Sequence, residues 1–116
     1  MILSLTLPPS VNEAYIRPKF GGKYILSDKA RAWRTEAIWW LRQYSLIAGK
    51  VEVDAIYIFP DKRRRDFHNY SKLLYDALQE ARIIEDDSLI VKETSSVMIR
   101  KGMAGVLFEV KEINEQ

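Results

Sequence analysis

Residues 60–87, PDKRRRDFHNYSKLLYDALQEARIIEDD, decide the fold and hold most of the polar side chains that could do chemistry. Within this stretch the apolar residues recur with the period of an amphipathic helix, and they are Tyr70, Leu73, Leu74, Ala77, Leu78 and Ala81. The pattern predicts a helix over residues 67–81 with one face in the core. A basic run precedes this helix and an acidic pair follows it.

The two ends of the predicted helix carry opposite charges. The run Lys62, Arg63, Arg64 and Arg65 leads into Asp66, and Asp86 and Asp87 follow the helix. Cations hold phosphates and carboxylates hold a divalent metal beside them, so the mixture is typical of nuclease sites. The positive end of the helix dipole also favours phosphate. The opposing interpretation is that Asp66 only caps the helix.

Composition limits the class of protein. A chain of 116 residues fits one domain, residues 1–116, and 47% apolar residues can form a core. The absence of cysteine excludes disulfides and thiolate metal sites. No apolar run is long enough to span a membrane, and the first residues lack the basic start of a signal peptide. We therefore expect a cytoplasmic protein with no membrane partner.

Basic charge is concentrated in two segments although the net charge is only +2. Between residues 17 and 42 there are seven basic and two acidic residues, and the second segment is the run before Asp66. This distribution favours a polyanionic partner, with a plain solvated surface as the alternative. Gly21 and Gly22 lie between two aromatic-rich runs, Tyr15–Phe20 and Lys23–Leu26, which predicts a hairpin with Gly-Gly as its two-residue link. Its basic and aromatic residues suit contact with nucleic acid, but for the aromatics packing on the core is the favoured interpretation.

The remaining elements follow from periodicity and breakers. Strands are predicted at residues 2–7, 51–59, 92–99 and 105–110. Ile56–Phe59 is apolar on both sides, which predicts a strand end covered on both faces. A helix is predicted from a Ser27 cap to about Ile47, with Trp40 on its buried face and Trp39 outside it. The order predicts an α+β (α/β) fold, a small mixed sheet of about four to five strands with two main helices.

Four segments together resemble the RusA family of Holliday-junction resolvases, which are divalent-metal-dependent endonucleases of phage and prophage origin. They are LPPSVN at 7–12, SDKARAWR at 27–34, RRRDFHNYSKLLYDAL at 63–78 and EDDSLI at 85–90. They span most of the chain in the family's order. The resemblance implies a homodimer that resolves four-way DNA junctions in recombination and repair, with Mg²⁺ or Mn²⁺ as cofactor.

The resemblance also implies roles for individual residues. The catalytic acids fall on Asp66 and Asp87, with Asp86 beside the latter, and the essential lysine falls on Lys72. His68 stands where the family has a second aspartate, and a histidine suits manganese better than magnesium. His68 is then a metal ligand, a proton carrier, or the mark of an impaired copy that binds junctions without cutting them. The candidate metal ligands are Asp66, His68, Asp86 and Asp87.

The remaining candidate residues are expected to contact DNA rather than the metal. They are the four cations at 62–65 together with Arg17, Lys19, Lys23, Arg31 and Arg34. A junction presents two symmetry-related strands, so a twofold dimer with two equal sites matches it. Trp39 is a candidate for the dimer interface.

Overall fold

A computed structural model describes residues 2–113 and divides them into three α-helices, six strands and a short 3₁₀ turn. In chain order the elements are β1 (Ile2–Leu5), α1 (Val11–Ala14), β2 (Tyr15–Ile16), β3 (Ile25–Leu26), α2 (Asp28–Leu41), β4 (Val51–Phe59), α3 (His68–Glu80), the 3₁₀ turn (Asp87–Leu89), β5 (Ile90–Ile99) and β6 (Gly105–Glu112). The predicted α+β class with two main helices is confirmed. The first strand is shorter than predicted and β5 starts earlier.

The main sheet is mixed, as predicted, with strand order β1-β6-β4-β5. β6 runs antiparallel to both β1 and β4. β4 and β5 are parallel, with Phe59 opposite Ile99. A parallel pair needs a crossover connection, and α3 provides it. The ends of α3 therefore lie toward opposite ends of these two strands.

The core lies on one face of this sheet. Along β4, Val51, Val53, Ala55, Tyr57 and Phe59 are buried against the helices. Ile56 and Ile58 point to the other face and are only half-buried. The prediction that this strand end is covered on both faces is therefore wrong for the single chain. The strand alternates along its whole length because all the long helices lie on one side.

Helix α2 begins as predicted and ends early. The Ser27 hydroxyl accepts a hydrogen bond from the Ala30 amide at 3.2 Å, which caps the first turn. The helix stops at Leu41 rather than near Ile47, because the Ile47 amide donates to the Ile83 carbonyl at 2.8 Å. Trp40 was predicted to be buried and is 50% exposed, so that prediction is wrong. Trp39 is 69% exposed, which confirms its place outside the buried face.

Helix α3 matches its prediction closely. Its buried residues are Tyr70, Leu73, Leu74, Ala77 and Leu78. Beyond its last turn, Arg82 adopts a left-handed backbone conformation, with φ of 62°. The Ile83 amide then donates to the Leu78 carbonyl at 2.9 Å, the hydrogen bond typical of a Schellman end. This turn sends the chain back toward the start of β5.

The predicted hairpin is a short ladder with a long loop. Only Tyr15 and Ile16 pair with Leu26 and Ile25, so Gly21-Gly22 is not a two-residue link. Residues 17–24 form the loop, hereafter called the arm. Both arm glycines have positive φ, 84° and 102°, so they bend the chain at its tip. Within residues 2–113, no helix is both long and apolar enough to cross a membrane.

Candidate active site and DNA-binding surface

Asp66 lies immediately before α3 and organises its first turn. Its Oδ1 accepts a hydrogen bond from the His68 amide at 3.0 Å, and its carbonyl accepts one from the Asn69 amide at 3.1 Å. Asp66 thus caps an amide of the first turn, as the capping interpretation predicted, although the residue that directly flanks the helix is Phe67. The carboxylate is exposed, and only Oδ1 has a hydrogen-bond partner among residues 2–113. Asp66 can therefore cap the helix with one oxygen and offer the other to a ligand.

His68 is the first residue of α3 and is exposed. Its ring lies 4.4 Å, centroid to centroid, from the ring of Phe67. The two aromatic residues line a shallow pocket whose other wall is the middle of β5, formed by Glu93, Thr94 and Ser95. The imidazole is therefore accessible to a ligand and has a carboxylate residue across the pocket.

Lys72 lies one turn further along α3, on the same exposed side as His68. Its Nζ is 5.7 Å from the centre of the Tyr15 ring and 3.8 Å from Oδ2 of Asp76. The ammonium thus stands at the base of the arm, with one ring and one carboxylate near it. Both contacts are at the surface, where an ion pair restrains a lysine only weakly. The amine remains able to reach a phosphate.

The acidic pair lies at the other end of α3. Asp86 caps the 3₁₀ turn, because its Oδ2 accepts hydrogen bonds from the Ser88 amide at 3.1 Å and from the Ser88 hydroxyl. These bonds to Ser88 lower the pKa of Asp86. The Asp87 amide donates to Oε1 of Gln79 at 3.0 Å, which fixes the turn beside the last turn of α3. The side chain of Asp87 is exposed.

The structure does not bring Asp66 and Asp87 together in one chain. His68 and Gln79 are eleven residues apart on α3, which is about 17 Å along the axis. Asp66 lies just before the first of these residues and Asp87 is bonded to the second. Within residues 2–113, no group of three metal-binding side chains forms. A shared ion therefore cannot rest on these two carboxylates of the same chain.

The four cations before Asp66 are not equivalent. Arg65 donates to Oδ1 of Asp61 at 2.7 Å, and its guanidinium lies 5.1 Å from the centre of the Phe59 ring. Its side chain is only 12% exposed. The guanidinium of Arg65 lowers the pKa of the Asp61 carboxyl. Arg65 therefore braces the loop, whereas Lys62, Arg63 and Arg64 are exposed and suited to phosphates.

The other predicted DNA contacts divide in the same way. Arg17, Lys19 and Lys23 are exposed on the arm. Arg31 donates to the Leu26 carbonyl at 2.9 Å and so joins α2 to β3. Arg34 pairs with Oε1 of Glu80 at 2.9 Å and joins α2 to α3. The arm thus contributes exposed cations, while the two arginines of α2 also hold the elements together.

Sequence reasoning missed the group around Glu93. The hydroxyls of Tyr57 and Tyr75 are buried and have no hydrogen-bond partner among the described residues. Burial, and then the negative charge of Glu93, raises the pKa of both phenols. Glu93 thus lines the pocket of His68 and also acts on both phenols. Nothing in the local sequence signals this, because the residues meet only through the β4–β5 pairing and α3.

Comparison with known proteins identifies the class of molecule. A family model described as "Endodeoxyribonuclease RusA" matches residues 6–111. The chain therefore belongs to the RusA endodeoxyribonuclease family and is a nuclease. A curated relative, "Crossover junction endodeoxyribonuclease RusA" of Aquifex aeolicus (strain VF5), is 35% identical over 108 residues, which cover 90% of this chain and 85% of the relative. The family and the enzyme class expected from the sequence are confirmed.

Proposed function

We propose that this nuclease resolves four-way DNA junctions as a homodimer that uses Mg²⁺ or Mn²⁺. The observation that carries the proposal is the exposed start of α3, where Asp66 and His68 lie at the first turn and Lys72 lies one turn further along the same side. This turn is flanked by the exposed cations of residues 62–64 and by the arm. The name of the Aquifex relative, a crossover junction endodeoxyribonuclease, supports the choice of substrate.

The chain's own residues would divide the work of phosphodiester hydrolysis. Lys62, Arg63 and Arg64 bind backbone phosphates, and the positive end of the α3 dipole adds to their attraction. Lys72 neutralises charge that develops on the transferred phosphoryl group or on the leaving oxygen. His68, in its accessible pocket, serves as a ligand or as a carrier of the proton taken from water.

The carboxylates are suited to a hard divalent cation, but residues 2–113 of one chain do not gather three metal-binding side chains at one place. When bound, such a cation activates water and relieves negative charge on the phosphate. We propose that the donor set is completed across a twofold axis. Such an axis can reverse the direction of α3 in the second copy, so that Asp66 of one chain approaches Asp87 of the other. Two equal sites would then form, one for each cut strand.

Mixing two inactive variants tests both parts of the proposal. Asp66→Asn and Asp87→Asn should each abolish cutting of a labelled junction with Mg²⁺ or Mn²⁺. If the sites are shared, a mixed dimer keeps one site with both aspartates intact. After subunit exchange the mixture should recover roughly a quarter of the wild-type cutting, since about half the dimers are mixed and each has one working site.

The outcomes of the mixing experiment are distinct. No recovery, with exchange verified by differently tagged copies, would mean that each site belongs to one chain. Full activity of either single variant would remove that aspartate from the mechanism. The control is each variant mixed with itself, which should stay inactive.

A second candidate function follows from His68. With a histidine at the position of the family's second acid, the protein could bind junctions and cut nothing. Binding would then weaken steeply with salt, as phosphate contacts require, and no metal in the series would support cutting. The same gel with wild-type protein separates this outcome from the first.

A further inference from the structure

The arm carries an aromatic side chain that packs very little against the other described residues. Phe20, next to the glycine pair, is 95% exposed. Its ring has one contact of note among the described residues, the Nζ of Lys19 at 5.9 Å from the ring centre. Single exposed apolar residues are common on protein surfaces, so exposure alone assigns no role. The surroundings of Phe20 supply the further arguments.

All the charged residues of the arm are basic. Arg17, Lys19 and Lys23 are exposed on it, and no acidic residue lies between Glu13 and Asp28. A second aromatic residue, Tyr24, is 65% exposed. Alternating cations and exposed rings fit a nucleic acid, in which phosphates take the charges and bases take the rings. An apolar protein partner would leave the three cations without counter-charges.

The arm also rises beside the candidate catalytic lysine. Tyr15, at its base, has its ring 5.7 Å from Nζ of Lys72. Phe20 lies five residues further along the chain, and an extended chain spans at most about 3.6 Å per residue. Phe20 is therefore within about 18 Å of Tyr15. At 3.4 Å per stacked base pair, this is a reach of roughly five base pairs.

Branched DNA offers within that reach something that a duplex lacks. At the branch point the stack of base pairs is interrupted or easily opened, so a ring can stack on a base without first separating two neighbours. We propose that Phe20 stacks on a base at the branch point and that this contact favours junctions over duplex DNA. The inference rests on the junction-resolving function proposed above. The cations of the arm hold phosphates in either kind of DNA.

Binding measurements on two substrates test the proposal. Affinities of wild type, Phe20→Ala, Phe20→Leu and Phe20→Trp are measured in EDTA for a four-way junction and for a duplex of equal length. Phe20→Ala should weaken junction binding about tenfold and change duplex binding little, since stacking on one base accounts for effects of this size. Phe20→Leu keeps the apolar bulk but loses the ring, so it should behave like Phe20→Ala. Phe20→Trp should retain the preference.

A fluorescent base reports the contact directly. With 2-aminopurine at the branch point, wild-type protein should change the emission and Phe20→Ala should not. Met103→Ala is the matched control, because Met103 is 58% exposed in the turn between β5 and β6. It should behave as wild type.

Two results would overturn the assignment of Phe20. One is that Phe20→Ala binds the junction and the duplex as tightly as wild type does. The other is that Phe20→Ala loses the same factor of affinity for both substrates. Cutting assays keep this result separate from the proposed function. Absence of metal-dependent cutting by wild type would count against the function, whereas a Phe20→Ala variant that cuts and still prefers junctions would count only against the stacking.

Discussion

Asp66 holds the first turn of α3 with one oxygen, and the proposed function gives its charge a second role in the chemistry. Its Oδ1 holds the His68 amide at 3.0 Å, and the carboxylate remains exposed. An asparagine keeps the capping oxygen and loses the charge, so Asp66→Asn separates the two roles. Because surface changes that keep a cap cost little, we expect the free energy of unfolding to change by less than about 0.5 kcal/mol.

The same variant should lower the cleavage rate about a hundredfold or more, since the charge at the reacting phosphate is lost. Junction affinity should stay near the wild-type value. Glu112→Gln, which removes a charge at the exposed end of β6, is the control and should cut normally. A stable Asp66→Asn protein that cuts at the wild-type rate would leave Asp66 with only its capping role.

His68 stands where the resemblance places an aspartate, so the variant His68→Asp tests the effect of that difference. In His68→Asp the backbone amide still donates to Asp66, and a carboxylate replaces the imidazole at the exposed first turn. Because carboxylates suit magnesium better than imidazole does, the ratio of cutting rates in Mg²⁺ and Mn²⁺ should rise about tenfold. Rates at saturating metal measure this ratio. An unchanged ratio would mean that His68 does not contact the metal.

The residue chemistry was only partly predictable. Asp66, His68 and Lys72 could be placed together from the sequence because they share one helix start, where the period fixes which side chains are neighbours. Glu93 could not, since it faces His68 only after β5 has paired with β4. Likewise, no local pattern separates Arg65, which is tied to Asp61, from the exposed Arg63 and Arg64.

Among the structural elements, the loop before α3 has a pH-sensitive brace. The guanidinium of Arg65 lowers the pKa of the Asp61 carboxyl below its usual value of 3.8. A carboxyl whose pKa is depressed by folding stabilises the protein above its unfolded-state pKa and loses that effect as the pH falls through the folded-state pKa. The brace is therefore intact at neutral pH and lost in strong acid.

This linkage predicts a pH-dependent effect of Asp61→Asn. Near pH 7 the variant should melt at a lower temperature than wild type, and the difference should shrink as the pH falls below the usual carboxyl pKa. Thermal melts over a pH series measure it. A difference in melting temperature that is constant down to about pH 2 would show that charge on Asp61 does not matter.

The end of α3 offers a gain in stability. Arg82 is not glycine and yet has φ of 62°, a conformation that costs an L-residue about 1–2 kcal/mol. Arg82→Gly should raise the free energy of unfolding by about 0.5–1 kcal/mol after the extra chain entropy of glycine is deducted. Arg82→Ala loses the same exposed side chain but keeps Cβ, so it should give no gain. Equal melting temperatures for both variants would contradict the argument.

Helix type was easier to predict than helix length. The strong apolar period of α3 led to its correct placement within about two residues. The end of α2 was missed because Leu41 is followed by no breaker before Gly49. What ends α2 is the contact of Ile47 with Ile83 and Ile84, far along the chain. Such a tertiary contact overrides local preference and leaves no local signal.

For the complete dimer, the proposed shared sites predict a difference between paired and single cuts. On a supercoiled plasmid with an extruded cruciform, wild-type dimers should give linear product, since both strands are cut in one complex. The mixture of Asp66→Asn and Asp87→Asn chains should give nicked circles, because each mixed dimer has one working site. Gel separation of the two forms measures this. Linear product from the mixture would contradict the shared sites.

The sequence predicted the class of fold and the layout of the sheet only in part. The small mixed sheet was predicted, but the parallel pairing of β4 with β5 was established only by the structure. That one sheet face carries no helix was not foreseen, because apolar Ile56 and Ile58 looked like core. The separation of Asp66 and Asp87 was foreseeable, since a helix of this length holds its two ends far apart.

The length of helix α3 therefore sets the relative orientation of its two ends as well as the distance between them. Each residue inserted into α3 would rotate the segment that follows the helix by about 100° about the helix axis. The loop of Asp87 would then rotate relative to Asp66, and the proposed twofold axis would repeat the change in the second copy. Insertions of three or four residues are close to one whole turn and keep the orientation of the loop nearly unchanged. Natural variation in the length of α3 should therefore occur in steps of three or four residues and seldom in steps of one.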